Sequence, residues 1–89
     1  MKYIIKLTFI NLPYPQFIGK GKYIFGQECY AVLTERVEEA KTYSTFNRAK
    51  AAIERMLDSC SYVNLSSDYN ICGIDDNGNF HEYPQDYRK

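Results

Sequence analysis

The sequence predicts an α+β fold, in which one main helix packs on one face of an antiparallel sheet of three to four strands. Three observations lead to this prediction. Apolar residues between 43 and 60 recur at steps of three and four, which is the spacing of one helix face. Residues 2–10 alternate between apolar and polar side chains, as in a half-buried strand. Residues 76–79 have the sequence Asp-Asn-Gly-Asn, which is a strong signal for a type I′ hairpin turn.

The first half of the chain predicts two strands. The alternating segment 2–10 forms the first strand. The prolines and glycines of residues 11–21 predict a loop or an irregular edge that displays Tyr14. Residues 22–33 regain the β-branched and aromatic side chains of a strand. Together with the segments that follow, these elements predict the order ββαββ in a single domain of residues 1–89.

The second half contains the helix and the hairpin. Thr34 is expected to cap a short helical turn over residues 35–40, and Ser44 or Thr45 to cap the main helix, which ends near 58–61. The apolar face of that helix consists of Phe46, Ala49, Ile53, Met56, Leu57 and Cys60. Two short strands or one interrupted strand are expected at 62–65 and 68–74, and a returning strand at 80–83.

Composition limits the classes of function. The net charge is zero, whereas a general nucleic-acid binder needs a basic surplus to contact phosphates. The three cysteines are odd in number and form no C-x-x-C pair, which indicates free thiols in a reducing cytoplasm. No segment is long and apolar enough to span a bilayer, so we expect a soluble cytoplasmic protein with no membrane partner.

Catalytic and metal-binding patterns are weak. His81 is the only histidine, and although it could pair with Cys29 or Cys72, no local motif supports a nucleophile. The oxygen-rich residues 75–79 lack the spacing of a calcium loop and are better explained as turn formers. We therefore expect no catalytic residue, no metal and no cofactor.

Nucleic-acid binding is an alternative function. Residues 35–41 and the helix 45–58 could form a helix-turn-helix, with Asn47, Arg48 and Lys50 near the start of the second helix. Exposed aromatic side chains on the sheet could instead stack RNA bases. The neutral total makes direct contact with nucleic acid the less favoured reading.

The C-terminal third carries the most unusual charge distribution. Residues 58–86 contain six acids and no Lys or Arg, with tyrosines interspersed. An acidic, aromatic surface of this kind attracts a basic protein surface. The predicted partner-binding residues are Asp68, Tyr69, Asp75, Asp76, Glu82, Tyr83 and Asp86.

Three segments carry a resemblance to a class of known proteins. Lys-Tyr-Ile-Ile-Lys at residues 2–6, Tyr-Ala-Val-Leu-Thr at 30–34, and Val-Glu-Glu-Ala-Lys-Thr-Tyr at 37–43 with Ala49 resemble small proteins encoded by phages and mobile elements of Gram-positive bacteria. Members with known roles often inhibit host machinery stoichiometrically, and anti-CRISPR proteins are the best-known case. The resemblance covers about residues 2–57.

The resemblance and the acidic hairpin together imply a function. We expect a non-catalytic inhibitor in the host-cell cytoplasm that occupies the basic nucleic-acid-binding surface of a host defence protein, such as a CRISPR nuclease. The alternatives are a small DNA-binding regulator, and a phage structural or assembly protein that pairs as a homodimer through a sheet edge or an aromatic face.

Overall fold

The computed structural model describes residues 1–25, 28–59 and 68–83. These residues form an α+β protein with one main helix and a five-stranded antiparallel sheet. The elements in chain order are β1 (Lys2–Thr8), β2 (Gln16–Phe25), β3 (Glu28–Thr34), a short 3₁₀ helix (Val37–Glu39), α1 (Phe46–Ser59), β4 (Asp68–Ile74) and β5 (Phe80–Tyr83).

The strands lie in the order β3-β2-β1-β4-β5, so β1 is the central strand. It pairs with β4 along its whole length, from Lys2 opposite Ile74 to Thr8 opposite Asp68. Its pairing with β2 is short and involves only Lys6 and Leu7. The predicted three to four strands and the order ββαββ were therefore wrong, because three strands precede the helix.

The strand boundaries predicted for the first half of the chain were wrong at two places. Residues 16–21 belong to β2, whose pairing with β3 shifts register between Ile18 and Lys22. Gly21 lies at this irregularity with a φ of 81°, a backbone conformation that glycine adopts without steric cost. Residues 22–33, predicted as one strand, are divided between β2 and β3. The strand predicted at 62–65 lies outside the described residues.

The main core lies between α1 and one face of the sheet. Ala49 and Ile53 of α1 are fully buried there, and Phe46, Met56 and Leu57 pack against the cluster, as the helical spacing predicts. The sheet contributes the buried side chains Ile5, Leu7, Ile18, Tyr69 and Ile71. The helix begins as predicted, since the hydroxyl of Thr45 accepts a hydrogen bond from the Arg48 N–H at 3.1 Å.

The opposite face of the sheet carries a smaller core that the alternation did not predict. Ile4, Phe17, Ala40 and Cys72 are buried there, and Val37 packs against them. The central strand is thus apolar on both faces at adjacent positions. The helical turn expected at residues 35–40 is the shorter 3₁₀ helix Val37–Glu39. Its N-cap is Arg36, so the cap predicted at Thr34 was wrong; the Thr34 hydroxyl accepts a hydrogen bond from the Arg36 N–H at 3.1 Å, before the helix begins.

Residues 40–43, which we call the crossover segment, occupy the gap where β1 and β2 separate. The Lys41 N–H donates to the Ile18 carbonyl of β2 at 2.9 Å. On the other side, Tyr43 and Tyr3 of β1 exchange two backbone hydrogen bonds of 2.7 and 2.9 Å. The segment therefore joins both strands and leads directly into α1.

Candidate functional site

Residues 75–79 connect β4 to β5, and a hydrogen bond between Asp75 and Asn79 leaves the three residues 76–78 as the hairpin loop. The Gly78 N–H donates to the Asp75 carbonyl at 3.0 Å, and the Asp75 N–H donates to the Asn79 carbonyl at 3.1 Å. Gly78 has a φ of 84°, while no residue other than glycine has a positive φ among those described. A type I′ turn needs positive φ at Asn77 as well, so that prediction was wrong, although the hairpin itself is present.

Asp75 organises this loop through its carboxylate. One oxygen accepts hydrogen bonds from the backbone N–H groups of Asn77 and Asn79, both at 2.9 Å. The other oxygen lies 3.2 Å from Nε2 of His81. The Asn79 N–H and then His81 are the main causes that lower the pKa of Asp75 from 3.8 to about 2. Asp75 is consequently ionised at any physiological pH.

Glu82 projects from the face of β5 opposite to that of His81, and there it contacts Lys6. Its carboxylate accepts a hydrogen bond from Nζ of Lys6, and Nδ2 of Asn70 lies 3.5 Å from the same oxygen. The hydrogen bond from Lys6 is the largest influence on Glu82 and lowers the pKa of its carboxyl group. Because the two side chains are 24% and 48% exposed, Lys6 neutralises much of the charge that Glu82 would present.

Asp68 lies far from Asp75 and Asp76, the acids of the hairpin loop. Strand β4 rises about 3.3 Å per residue, so about 20 Å separates Asp68 at its start from Ile74 at its end. This distance exceeds the Debye length of about 8 Å at physiological ionic strength. Tyr69 is 6% exposed and packs in the main core, where it offers little surface to a partner.

The remaining predicted contact residues, Tyr83 and Asp86, lie partly or wholly outside the described residues. Strand β5 includes Tyr83, whose backbone pairs with Ile71, but the side chain of Tyr83 lies outside the described part of the chain. Asp86 also lies outside the described residues. The acidic surface of the described hairpin therefore consists of Asp75 and Asp76, followed by Phe80, which is 48% exposed.

Cys72 and His81 project from opposite faces of the sheet. Cys72 pairs with Glu82 and His81 pairs with Gly73, and neighbouring residues of a strand alternate in direction. The Cys72 thiol is 1% exposed, and burial, with the charge of Glu82, raises its pKa to about 11. This pair therefore does not form the nucleophile and base that we considered. The side chain of Cys29 is outside the described part.

The alternative nucleic-acid residues lie near the start of α1 and differ in exposure. Asn47 and Arg48 are exposed, whereas Lys50 is half-buried. Since each residue of a helix advances by about 100°, Arg48 and Lys50 lie about 160° apart around the axis. Asn47 lies between them, so the three residues occupy just under half of the helix circumference. The first helix of the expected helix-turn-helix, residues 35–41, is only the 3₁₀ helix Val37–Glu39, so this motif is not formed. Nucleic-acid binding by the three residues stays a prediction.

Arg48 instead lines a basic pocket that the sequence analysis missed. This pocket has a volume of about 480 Å³ and is lined by Lys2, Lys41, Thr42, Tyr43, Ser44 and Arg48. The cations come from β1, the crossover segment and α1, which are distant in sequence. Of the three cations, only Arg48 was among the predicted site residues. No spacing rule connects positions 2, 41 and 48, so the sequence did not predict the pocket.

Several apolar side chains are exposed in the loop between β1 and β2. Ile10 is 93% exposed and Leu12 is 38% exposed. Tyr14 is 45% exposed, as predicted for a residue held between two prolines. Its hydroxyl hydrogen-bonds to Glu35, which raises the pKa of this tyrosine.

The described residues contain neither a metal-binding cluster nor a helix that could cross a membrane. Within residues 1–25, 28–59 and 68–83, no three His, Cys, Asp or Glu side chains are placed to hold a metal ion. In the same ranges, no helix has both the length and the apolar character needed to cross a membrane.

Comparisons with known proteins find no match. No protein-family model, curated protein or solved structure matches the chain. The resemblance of residues 2–57 to phage and mobile-element proteins therefore stays a prediction.

Proposed function

We propose that this chain is a non-catalytic protein-binding module whose contact surface is the tip of the β4–β5 hairpin. The single observation that carries the proposal is the fixed negative charge of Asp75, held ionised by backbone N–H groups beside the exposed Asp76. Phe80 follows in the same hairpin and is 48% exposed. Fixed charge beside an exposed aromatic ring supplies both long-range attraction and an apolar anchor.

The chemistry of this tip favours a basic partner surface. Asp75 and Asp76 attract Lys and Arg side chains. These two acids lie at the edge of the described sheet, because β5 is its last strand. The class of partner comes from the resemblance described above: a host defence protein, such as a CRISPR nuclease, whose nucleic-acid-binding surface the hairpin occupies. In this proposal the chain comes from a phage or mobile element and acts as a stoichiometric inhibitor.

The first experiment asks whether the hairpin charge drives capture of a basic protein. Tagged wild type and the double variant Asp75→Asn/Asp76→Asn are used to capture proteins from nuclease-treated bacterial lysate at 50 and 300 mM salt. Asparagine at position 75 keeps a side-chain oxygen for the loop N–H groups, so the turn is retained while the charge is removed. The control is Glu54→Gln, an exposed acid on α1.

The proposal predicts a basic partner whose retention falls at least tenfold in the double variant and at high salt, but not with Glu54→Gln. Equal retention by the double variant and the control would remove the hairpin tip from the interface. The second experiment adds the purified partner's own nucleic acid to the complex. Mutual exclusion supports occupancy of the nucleic-acid surface, whereas a stable ternary complex refutes it.

A further inference from the structure

We propose that the basic pocket formed by Lys2, Lys41, Thr42, Tyr43, Ser44 and Arg48 binds a phosphate group. The phosphate belongs to a small phosphorylated ligand or to a nucleic-acid strand, since both present the same anion. This site shares no residue with the hairpin tip, so the inference goes beyond the proposed function and does not depend on it.

The distribution of ion pairs supports an anion site here. Elsewhere in the described chain, Lys6 pairs with Glu82, and Arg36 lies near Glu38 and Glu39. Lys2, Lys41 and Arg48 form no ion pair with a described carboxylate, and the lining residues include no acid. In a chain of zero net charge, this pocket therefore concentrates positive charge that no described carboxylate neutralises.

The backbone that carries these side chains is fixed on several sides. Lys2 is in the central strand opposite Ile74, and Lys41 donates its N–H to the Ile18 carbonyl at 2.9 Å. The Arg48 N–H is held by the Thr45 hydroxyl at 3.1 Å. A site whose framework is already ordered loses less entropy when a ligand binds.

The chemistry of the lining matches phosphate. Arg48 can bind two phosphate oxygens at once, and the two lysines add point charges. Nζ of Lys41 lies 5.4 Å from the centre of the Tyr43 ring, a cation–π contact that holds this ammonium group beside the pocket. Thr42 and Ser44 add hydroxyl donors. The volume of about 480 Å³ is within the usual range for small-ligand sites.

The test is a titration of the ¹⁵N-labelled full chain, followed by amide chemical shifts, with three probes: inorganic phosphate, adenosine monophosphate and a ten-residue oligothymidylate. We expect saturable shifts centred on residues 2 and 41–48. The variants Lys41→Met and Arg48→Met should each weaken binding at least tenfold. Lys20→Met removes an exposed cation outside the pocket and should leave binding unchanged. The amide spectrum of each variant reports directly whether it is folded.

The probes distinguish the source of the phosphate. Tightest binding of the mononucleotide identifies a small-ligand site. Tightest binding of the oligonucleotide identifies a nucleic-acid contact. Each phosphate contacted by a single strand contributes about −0.7 to the slope of log K against the logarithm of the salt concentration, so the three cations of the pocket should give a slope no steeper than about −2. The inference is overturned if no probe gives shifts in the pocket up to 10 mM. It is also overturned if Lys20→Met weakens binding as much as the pocket variants do.

Discussion

Deprotonation of Cys72 should destabilise the protein at alkaline pH. The thiol is 1% exposed on β4, and burial together with the nearby Glu82 raises its pKa from 9.0 to about 11, against the opposing influence of Lys6. Below pH 9 the thiol is protonated in both the folded and the unfolded chain, so it has no effect. Above pH 9 the unfolded chain releases the proton first, which favours unfolding by about 1.4 kcal/mol per pH unit until pH 11.

The assay compares wild type with Cys72→Ala by urea unfolding, followed by circular dichroism, between pH 7 and 10.5. At pH 7 the variant should be less stable by about 1 kcal/mol, because it loses a buried sulfur atom. Ionising tyrosines contribute equally to both proteins, so the difference isolates Cys72. It should shrink above pH 9 and change sign near pH 10. A difference that stays constant across this range would refute the raised pKa and the burial that causes it.

Three further predictions concern the core, the crossover segment and the hairpin. Ile53→Ala should lower the free energy of unfolding by about 2–5 kcal/mol, because Ile53 is fully buried. The total for a chain of this length is about 4–13 kcal/mol. The control Ala51→Ser, at an exposed helix position, should change the urea midpoint little. Tyr43→Phe should raise the free energy of unfolding by up to about 1 kcal/mol, because the buried Tyr43 hydroxyl has no hydrogen-bond partner among the described residues; a loss of stability would show that the hydroxyl is satisfied. The pKa of Asp75 is lowered from 3.8 to about 2, so its contribution to stability is present above about pH 4 and lost as the pH falls towards 2; Asp75→Asn should flatten this part of the acid-unfolding curve, and an unchanged curve would contradict the loop geometry.

The features predicted correctly from the sequence depend on residues close together in the chain. The spacing of Phe46, Ala49 and Ile53 predicted the buried face of α1, and Thr45 was one of two caps considered. The features missed depend on distant partners. The glycines of β2 suggested a loop or an irregular edge, and pairing with β1 and β3 makes this segment a strand. The burial of Ile4 likewise requires the 3₁₀ helix, more than thirty positions away, to cover the second face of the sheet.

The acidic surface shows the same limit. A run of sequence without Lys or Arg suggested one continuous acidic patch, but adjacent residues of a strand point to opposite faces of the sheet. In addition, Lys6 of β1 lies beside Glu82 and neutralises its charge. Asp68 is separated from Asp75 by the length of a strand. The basic pocket was missed for the converse reason. Lys2, Lys41 and Arg48 meet only because the crossover segment is inserted beside the central strand.

The position of β1 also determines when the chain can fold during synthesis. Its full-length neighbour is β4, which is translated more than sixty residues later, whereas β2 offers it pairing only near Lys6 and Leu7. At a translation rate of roughly 5–20 residues per second, the first strand leaves the ribosome seconds before its main partner exists. The apolar residues Ile4 and Ile5 therefore have no full-length strand partner in the nascent chain until β4 has been translated.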